Sequence, residues 1–315
     1  MKKQVQLIVI GLLTIISSTF AQVSEEEKAM SLGVNNAILV NIPETTTKIA
    51  EKVWKDYVKQ FKGKTKKNRK AEEWKTTNGQ IMAINGDAPI SFFAKIQAIN
   101  EDVELALWLP TEEGYVSSTS NPEGYEEAKK ILNAYALEVK IETVKQELGG
   151  EEKTLGGLEK DLKKLKKENE GYHKDIKNAE QDIDDSENGL IRNAEDQKEA
   201  VRKVRMAEDI FAVEKDSLEI LISEASSKAE RKGLKKTMKA EERKVKDAKN
   251  EQKRFEREEN KLRKTIANAK RTIEESKKKI AQNEIDQKNK VEAIGDQKEV
   301  VRAVEGRLKE LYSQR

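Results

Sequence analysis

Cysteine is absent from all 315 residues, which excludes disulfides, thiolate chemistry, cysteine-containing metal sites and lipidation at a cysteine. An oxidising compartment is permitted but not required. Histidine occurs once, as His173; with only Glu170 and Asp175 nearby it makes a poor metal site, and an exposed helical position is the simpler reading. No glycine-rich phosphate loop, no serine or cysteine arrangement with a histidine and no zincin signature is present. Carboxylate neighbours such as Asp184 and Asp185 read as surface charge, because nothing around them implies a cleft that would raise a pKa. No cofactor and no catalytic residue is assigned.

Apolar content is also low. With 36% apolar and 5% aromatic residues against 38% charged, one large core is not expected. Charge of one sign is missing too: 61 basic and 58 acidic side chains leave only +3, which gives no general case for genomic nucleic acid and suits solvated helices laced with ion pairs.

The apolar run at the start, Val5 to Ile16, is interrupted by Gln6 and Gly11 and is shorter than the roughly 20 residues that cross a bilayer. Lys2 and Lys3 precede it, and small residues lead to Ala21. The pattern predicts a signal peptide over 1–21, cleaved after Ala21, and an exported chain in the periplasm or secreted beyond it. Residues 22–30 are acidic and read as a loose lead.

Residues 31–145 predict a small α+β domain. Val34 to Ile42 is a β-type run stopped by Pro43, and Thr45 to Thr47 offer caps for a helix with Ile49, Val53, Trp54, Tyr57 and Phe61 on one face, ending at Gly63. A basic connection follows, then strand-like pieces at Gln80–Ile84, Ile90–Ile99 and Val103–Leu109, and a short edge strand or turn at Gly114 to Val116. Asn121 and Pro122 open a second helix with Ile131, Leu132, Tyr135, Ala136 and Val139 on its apolar face. The simplest assembly places both helices on one side of a mainly antiparallel sheet. All three tryptophans lie here.

The rest of the chain is organised by one periodic stretch from Leu155 to Leu311. Its apolar residues recur at alternating spacings of three and four, as in Leu155, Leu158, Leu162, Leu165 and later Phe255, Leu262, Ile266, Ala269, Ile273 and Ile280, the seam of a coiled coil. Residues 146–157 carry Gly149–Gly150 and Gly156–Gly157 and predict a hinge or kinked neck; a continuous helix with close backbone approach is the rival. An outward arm over 158–228, a tip over 229–244 centred on Gly233 and a returning arm over 245–315 make an antiparallel hairpin, against the alternative of a single rod. Phase slips near Ile183–Leu190 and Asn283–Val291 would stand level if the chain reversed at Gly233. The series Ile176, Ala179, Ile183, Ser186, Asn193, Gln197 recurs 90 residues later as Ile266, Ala269, Ile273, Ser276, Asn283, Gln287, and Asp196–Glu199 recurs as Asp296–Glu299. Duplication and a shared packing demand both explain this.

One local group points to a ligand. Lys59, Lys62, Lys64, Lys66, Lys67, Arg69, Lys70 and Lys75 cluster near Trp54, Tyr57 and Trp74, a composition suited to an anionic lipid or polysaccharide surface. A solvated loop whose aromatics turn into the core is the plainer reading. The signal peptide and long helical hairpin together resemble periplasmic holdase chaperones of the Skp/OmpH type, which implies oligomers with arms around a client. The residues themselves favour a non-enzymatic adaptor or scaffold that binds other envelope proteins through its arm, with a holdase as the alternative and an enzyme or anionic-polymer module in the N-terminal domain as a further one.

Overall fold

The computed structural model describes residues 23–315, so the expected signal peptide lies outside the described residues. The chain divides into two compact units, one reaching Gly156 and taking up Gly295–Arg315, the other formed by Gly157–Ile294.

The first unit is α+β. Strands β1 (Val23–Met30), β2 (Gly33–Ile42), β3 (Lys64–Asn68), β4 (Glu73–Gly79), β5 (Ile90–Ile99) and β6 (Asp102–Trp108) form one sheet in the order β1-β2-β6-β5-β4-β3, with every pairing antiparallel. Helix α1 (Thr47–Tyr57) runs on into a 3-10 turn, Val58–Phe61; α2 (Met82–Asn85) is a single turn; and β7 (Pro110–Thr111) pairs with β8 (Gly114–Tyr115). The first turns of α3 (Pro122–Glu224) complete the unit.

Alternation along the strands decides which side is covered. Ile38, Val40 and Ile42 on β2, Phe92, Ala94 and Ile96 on β5, and Val103, Leu105 and Leu107 on β6 form one core with Trp54 of α1 and Leu132, Tyr135 and Val139 of α3. Trp54 meets Tyr135 edge-on with ring centroids 5.1 Å apart. The helices bring polar tips as well as apolar surface, and both are satisfied: Tyr135 Oη donates to the Ala50 carbonyl at 2.9 Å and Tyr57 Oη to that of Ile131 at 2.9 Å. Thr46 caps α1 by accepting from Ile49 N, and Asn121 Oδ1 accepts from Gly124 N at 2.8 Å to start α3.

Those two phenols give the unit an alkaline limit. Burial pushes Tyr57 up to about 12 and Tyr135 well above the ordinary tyrosine value of 10.0. The unfolded chain ionises near 10, so the fold keeps this stability below pH 10 and loses it as the pH climbs towards 12. Absorbance near 295 nm should show tyrosinate formation coinciding with loss of near-UV circular dichroism; full ionisation at pH 10 with the fold intact would contradict the burial.

Several local expectations are corrected. The acidic lead is strand β1, because Glu25, Glu27 and Lys28 line up with Ile38, Asn36 and Asn35 of β2 in an eight-residue ladder. The basic connection contains strand β3, and Gln80–Ile84 turns into α2 instead of extending. The chain leaves the 3-10 turn through Lys62 at φ 56°, one residue before Gly63. Gly63 is needed for closeness, since a Cβ there would lie 2.6 Å from Thr76 Cγ2.

The second unit is the hairpin. Helix α3 and helix α4 (Lys228–Ser313) run antiparallel, and cross-helix bonds fix their register: Lys290 Nζ to Asp161 at 3.1 Å, Asn169 Nδ2 to Asn283 Oδ1 at 3.4 Å, Asn193 Nδ2 to the Phe255 carbonyl at 3.2 Å and Lys249 Nζ to Glu208 at 2.7 Å. From Leu158 to Glu224 the outward helix rises about 100 Å.

The reversal occurs at Ala225–Ser227, and Gly233 lies inside α4. Ser227 Oγ accepts from Glu230 N at 3.1 Å, Glu230 reaches back to Ser226 N at 3.2 Å, and Arg231 donates twice to the Ala225 carbonyl. This is a capping-box arrangement. Ser227→Ala should lower the stability of the outer hairpin by about 1 kcal/mol, readable as faster amide exchange through the first turns of α4; unchanged exchange there would mean that the cap does not hold the turn.

Moving the reversal also moves the opposing positions. Residue 283 stands level with 169, so the two phase slips sit at different heights, contrary to the expectation built on Gly233. The same register explains the repeated text. Ile176 is level with Ser276, Ala179 with Ile273, Ile183 with Ala269 and Ser186 with Ile266, so each isoleucine faces a small residue. Ala179, Ser186, Ala269 and Ser276 are all buried. The pattern is its own antiparallel complement, which accounts for the similarity by packing alone. Each copy then ends in a polar rung, Gln197 donating to Asn193 at 2.7 Å and Gln287 to Asn283 at 2.6 Å.

The glycine neck is helical throughout. No break occurs, so the continuous helix of the rival expectation is present, but without the close approach that accompanied it: a Cβ at Gly149, Gly150, Gly156 or Gly157 would meet nothing within 4 Å. The close glycine is Gly189, whose Cβ would come 3.1 Å from Leu262.

Candidate interaction surfaces

The basic group is sorted by strand geometry into parts that are already engaged and parts that are open. Lys67 pairs with Glu51 and lies 5.6 Å above the Trp74 ring; Lys59 pairs with Asp56 at 2.6 Å; Lys75 lies 5.3 Å above Phe93. Lys62, Lys64, Lys66, Arg69 and Lys70 are exposed. Lys66 stands directly across from Lys75 in the β3–β4 ladder, a like-charge pair that lowers sheet stability slightly unless an anion lies over it. Alternation puts Lys64, Lys66 and Lys75 on the face away from the helices and Lys67 on the helix side. The aromatics named with the group do not join it at the surface: Trp54 is buried, Tyr57 and Trp74 are half-buried, and all three pack on the core.

The face away from the helices has its own small cluster, missed in the sequence: Met30, Ala37, Leu39, Phe93, Ala106 and Trp108, with Tyr115 packed against it. Two carboxylates are built into it. Glu104 receives Lys28 Nζ at 2.5 Å and Gln97 Nε2 at 3.1 Å. Glu73 is 3% exposed; one of its oxygens accepts from Ser31 N at 2.8 Å, closing the β1–β2 turn, and the other has no hydrogen-bond partner. Burial, and secondarily the Glu73 charge, push the Tyr115 phenol up. Period-two alternation in β4 and β6 was the signal for these residues, but their acidity hid them from an apolar-pattern reading.

Among the described residues, no group of three or more His, Asp or Glu side chains gathers to hold a metal, and no helix is long and apolar enough to cross a membrane. His173, Asp184 and Asp185 lie exposed on α3. A groove of about 570 Å³ between α1 and α3 is lined by Lys52, Asp56, Tyr57, Glu138, Glu142 and Arg315. Its charges neutralise one another, Lys52 on Glu142 at 2.6 Å and Arg315 on Glu138 at 2.8 Å; the Lys52 bond holds the Glu142 carboxyl below the usual range.

The hairpin presents a different surface. Its seam uses Val204, Ala207, Phe211, Leu218 and Ile222, all buried or half-buried, while Met206, Ile210, Val213 and Ile220 stay exposed on the side of α3 turned away from it. Val213 is 72% exposed and Met206 66%. Within the same unit, a groove of about 500 Å³ lies beside Leu190, Ala194, Val201, Arg202, Glu259 and Arg263.

No family model matches this chain, and no curated protein matches it. Among solved structures, a coiled-coil segment of Pyrococcus yayanosii Smc is similar at 20% identity over 61% of this chain and 92% of that one, with a TM-score of 0.24.

Proposed function

We infer that this protein is an exported, non-enzymatic interaction protein, a structural adaptor or scaffold that engages other envelope proteins through its helical arm. The observation that carries the reading is the arm itself. Its two helices bury little beyond one seam, in which isoleucines face alanine and serine and Val204, Phe211 and Leu218 follow, and leave a second apolar stripe in solvent, which is the surface economy of a binding element. Export rests on the basic, apolar and small-residue sequence over 1–21. The open lysines of β3 and the adjoining turn add a surface for an anionic lipid headgroup or polysaccharide beside the protein partner.

Photoreactive residues at Lys66, Ile191 and Ala229, all exposed, test this in the intact envelope. An adaptor yields one recurring protein at the arm positions. Many unrelated, unfolded clients there would replace the adaptor by a holdase of the kind the Skp/OmpH resemblance implies. Absence of any crosslinked protein at all three positions would sink both.

A further inference from the structure

The exposed stripe on α3 has a charge pattern that identifies its occupant. Met206, Ile210, Val213 and Ile220 follow one another at spacings of four, three and seven, with Ser217 completing the heptad series. Between residues 198 and 224, the flanking charges for which no intramolecular ion pair forms are cations first, Lys198, Arg202 and Arg205, and anions after them, Asp209, Asp216 and Glu224; Glu195, one turn before Lys198, lies outside this run. Residues of the opposite sign in the same segments are already held: Glu199 by Lys203, and Lys215 by Glu219. An apolar stripe that is basic at one end and acidic at the other is complementary to itself when reversed.

We propose that a second copy of this chain packs antiparallel along this stripe, with a two-fold axis near Asp209. In that arrangement Arg202 of one copy stands level with Asp216 of the other, Met206 lies beside Val213, and Ile210 meets Ile210 near the axis. Each contact occurs twice, as an isologous interface requires. The two Asp209 carboxylates approach one another at the axis, and Arg205, four residues away on each copy, offsets them. A parallel pairing would instead set cations on cations and anions on anions over the whole length, so the charge order selects the antiparallel form. At the acidic end Ile220 and Leu221 are exposed as well. This association occupies the stripe from which the adaptor reading is argued, so it makes a second copy of the chain the occupant there and leaves any other envelope protein to the rest of the arm.

Sedimentation of the purified full chain should give twice the monomer mass at micromolar concentration. Ile210→Glu with Val213→Glu, at positions already in solvent, should keep the helical circular dichroism and weaken association roughly 100-fold or more. Arg202→Glu and Asp216→Arg should each weaken it roughly tenfold, and the two together should restore it. Orientation is read with engineered cysteines in this cysteine-free chain: a mixture of Arg202→Cys and Asp216→Cys chains should form a disulfide-linked dimer, while Arg202→Cys alone should not. A monomeric wild type, a double glutamate variant that still dimerises, or efficient Arg202→Cys self-crosslinking would each overturn the proposal.

Discussion

Replacing Trp54 by alanine should remove about 3–5 kcal/mol from the stability of the α+β unit. The indole is 1% exposed and sits where α1, β5 and α3 converge, with Tyr135, Tyr57 and Phe92 at ring separations of 5.1, 6.4 and 6.5 Å. Truncation opens a cavity among three rings, two of which, Tyr135 and Tyr57, are tied by hydrogen bonds to helix carbonyls while Phe92 is fixed in the sheet, so the walls collapse little to fill it. Trp54→Phe should lose much less, because it keeps a ring in the cavity and removes an indole N–H that is buried without a partner. The readout is selective. The remaining tryptophans, Trp74 and Trp108, belong to the same unit, whereas most far-UV signal comes from the two long helices. Tryptophan emission should therefore shift at lower denaturant in Trp54→Ala while most of the signal at 222 nm persists. A loss under about 1 kcal/mol would mean that this cluster is not the keystone of the core.

The parts of the fold legible in the sequence were those in which one physical rule dominates. Strand β5 was readable because Ile90 to Ile99 alternates between two faces that both carry apolar residues, and the start of α3 because Asn121 and Pro122 join a cap to a residue suited to the first turn. The long seam was legible because a period of three and four sustained over many turns has no other explanation. Strands β1 and β3 were not, since Glu25 to Lys28 and Lys64 to Lys67 look like solvated charge; they are edge strands, and edges tolerate charge because one side of the ladder is unpaired. Gly233 points to the wrong place for the hairpin tip because an exposed glycine with an ordinary helical φ marks no turn, whereas Ser227 and Glu230 make the specific bonds that start α4. For the candidate surfaces, the lysine group was visible as composition, but only the ladder shows that Lys67 and Lys75 are engaged while Lys64 and Lys66 are open. The stripe on α3 was hidden among other apolar residues of the same helix until the seam had claimed Val204, Phe211 and Leu218.

Alanine at Gly149, Gly150, Gly156 and Gly157 together should stabilise this part of α3 by about 3–4 kcal/mol, at up to ~1 kcal/mol per site. All four lie within the helix, none has a positive φ, and an added methyl at each finds open space within 4 Å. Their neighbours Leu148, Leu155 and Leu158 are half-buried, so the apolar face is retained while the glycines point to solvent. Nothing in the helical state is lost by the substitution, and the unfolded chain loses backbone freedom, which is where the stabilisation originates. Amides from 150 to 158 should exchange faster than those of flanking turns in the wild type, and the difference should vanish in the quadruple variant, with the urea midpoint of the helical signal raised. A fall in stability would show that the native protein needs a non-helical conformation at these glycines for part of the time, since no steric or dihedral conflict in the helix could account for it. The substitution thereby separates a helix that merely tolerates four glycines from one whose function depends on opening there.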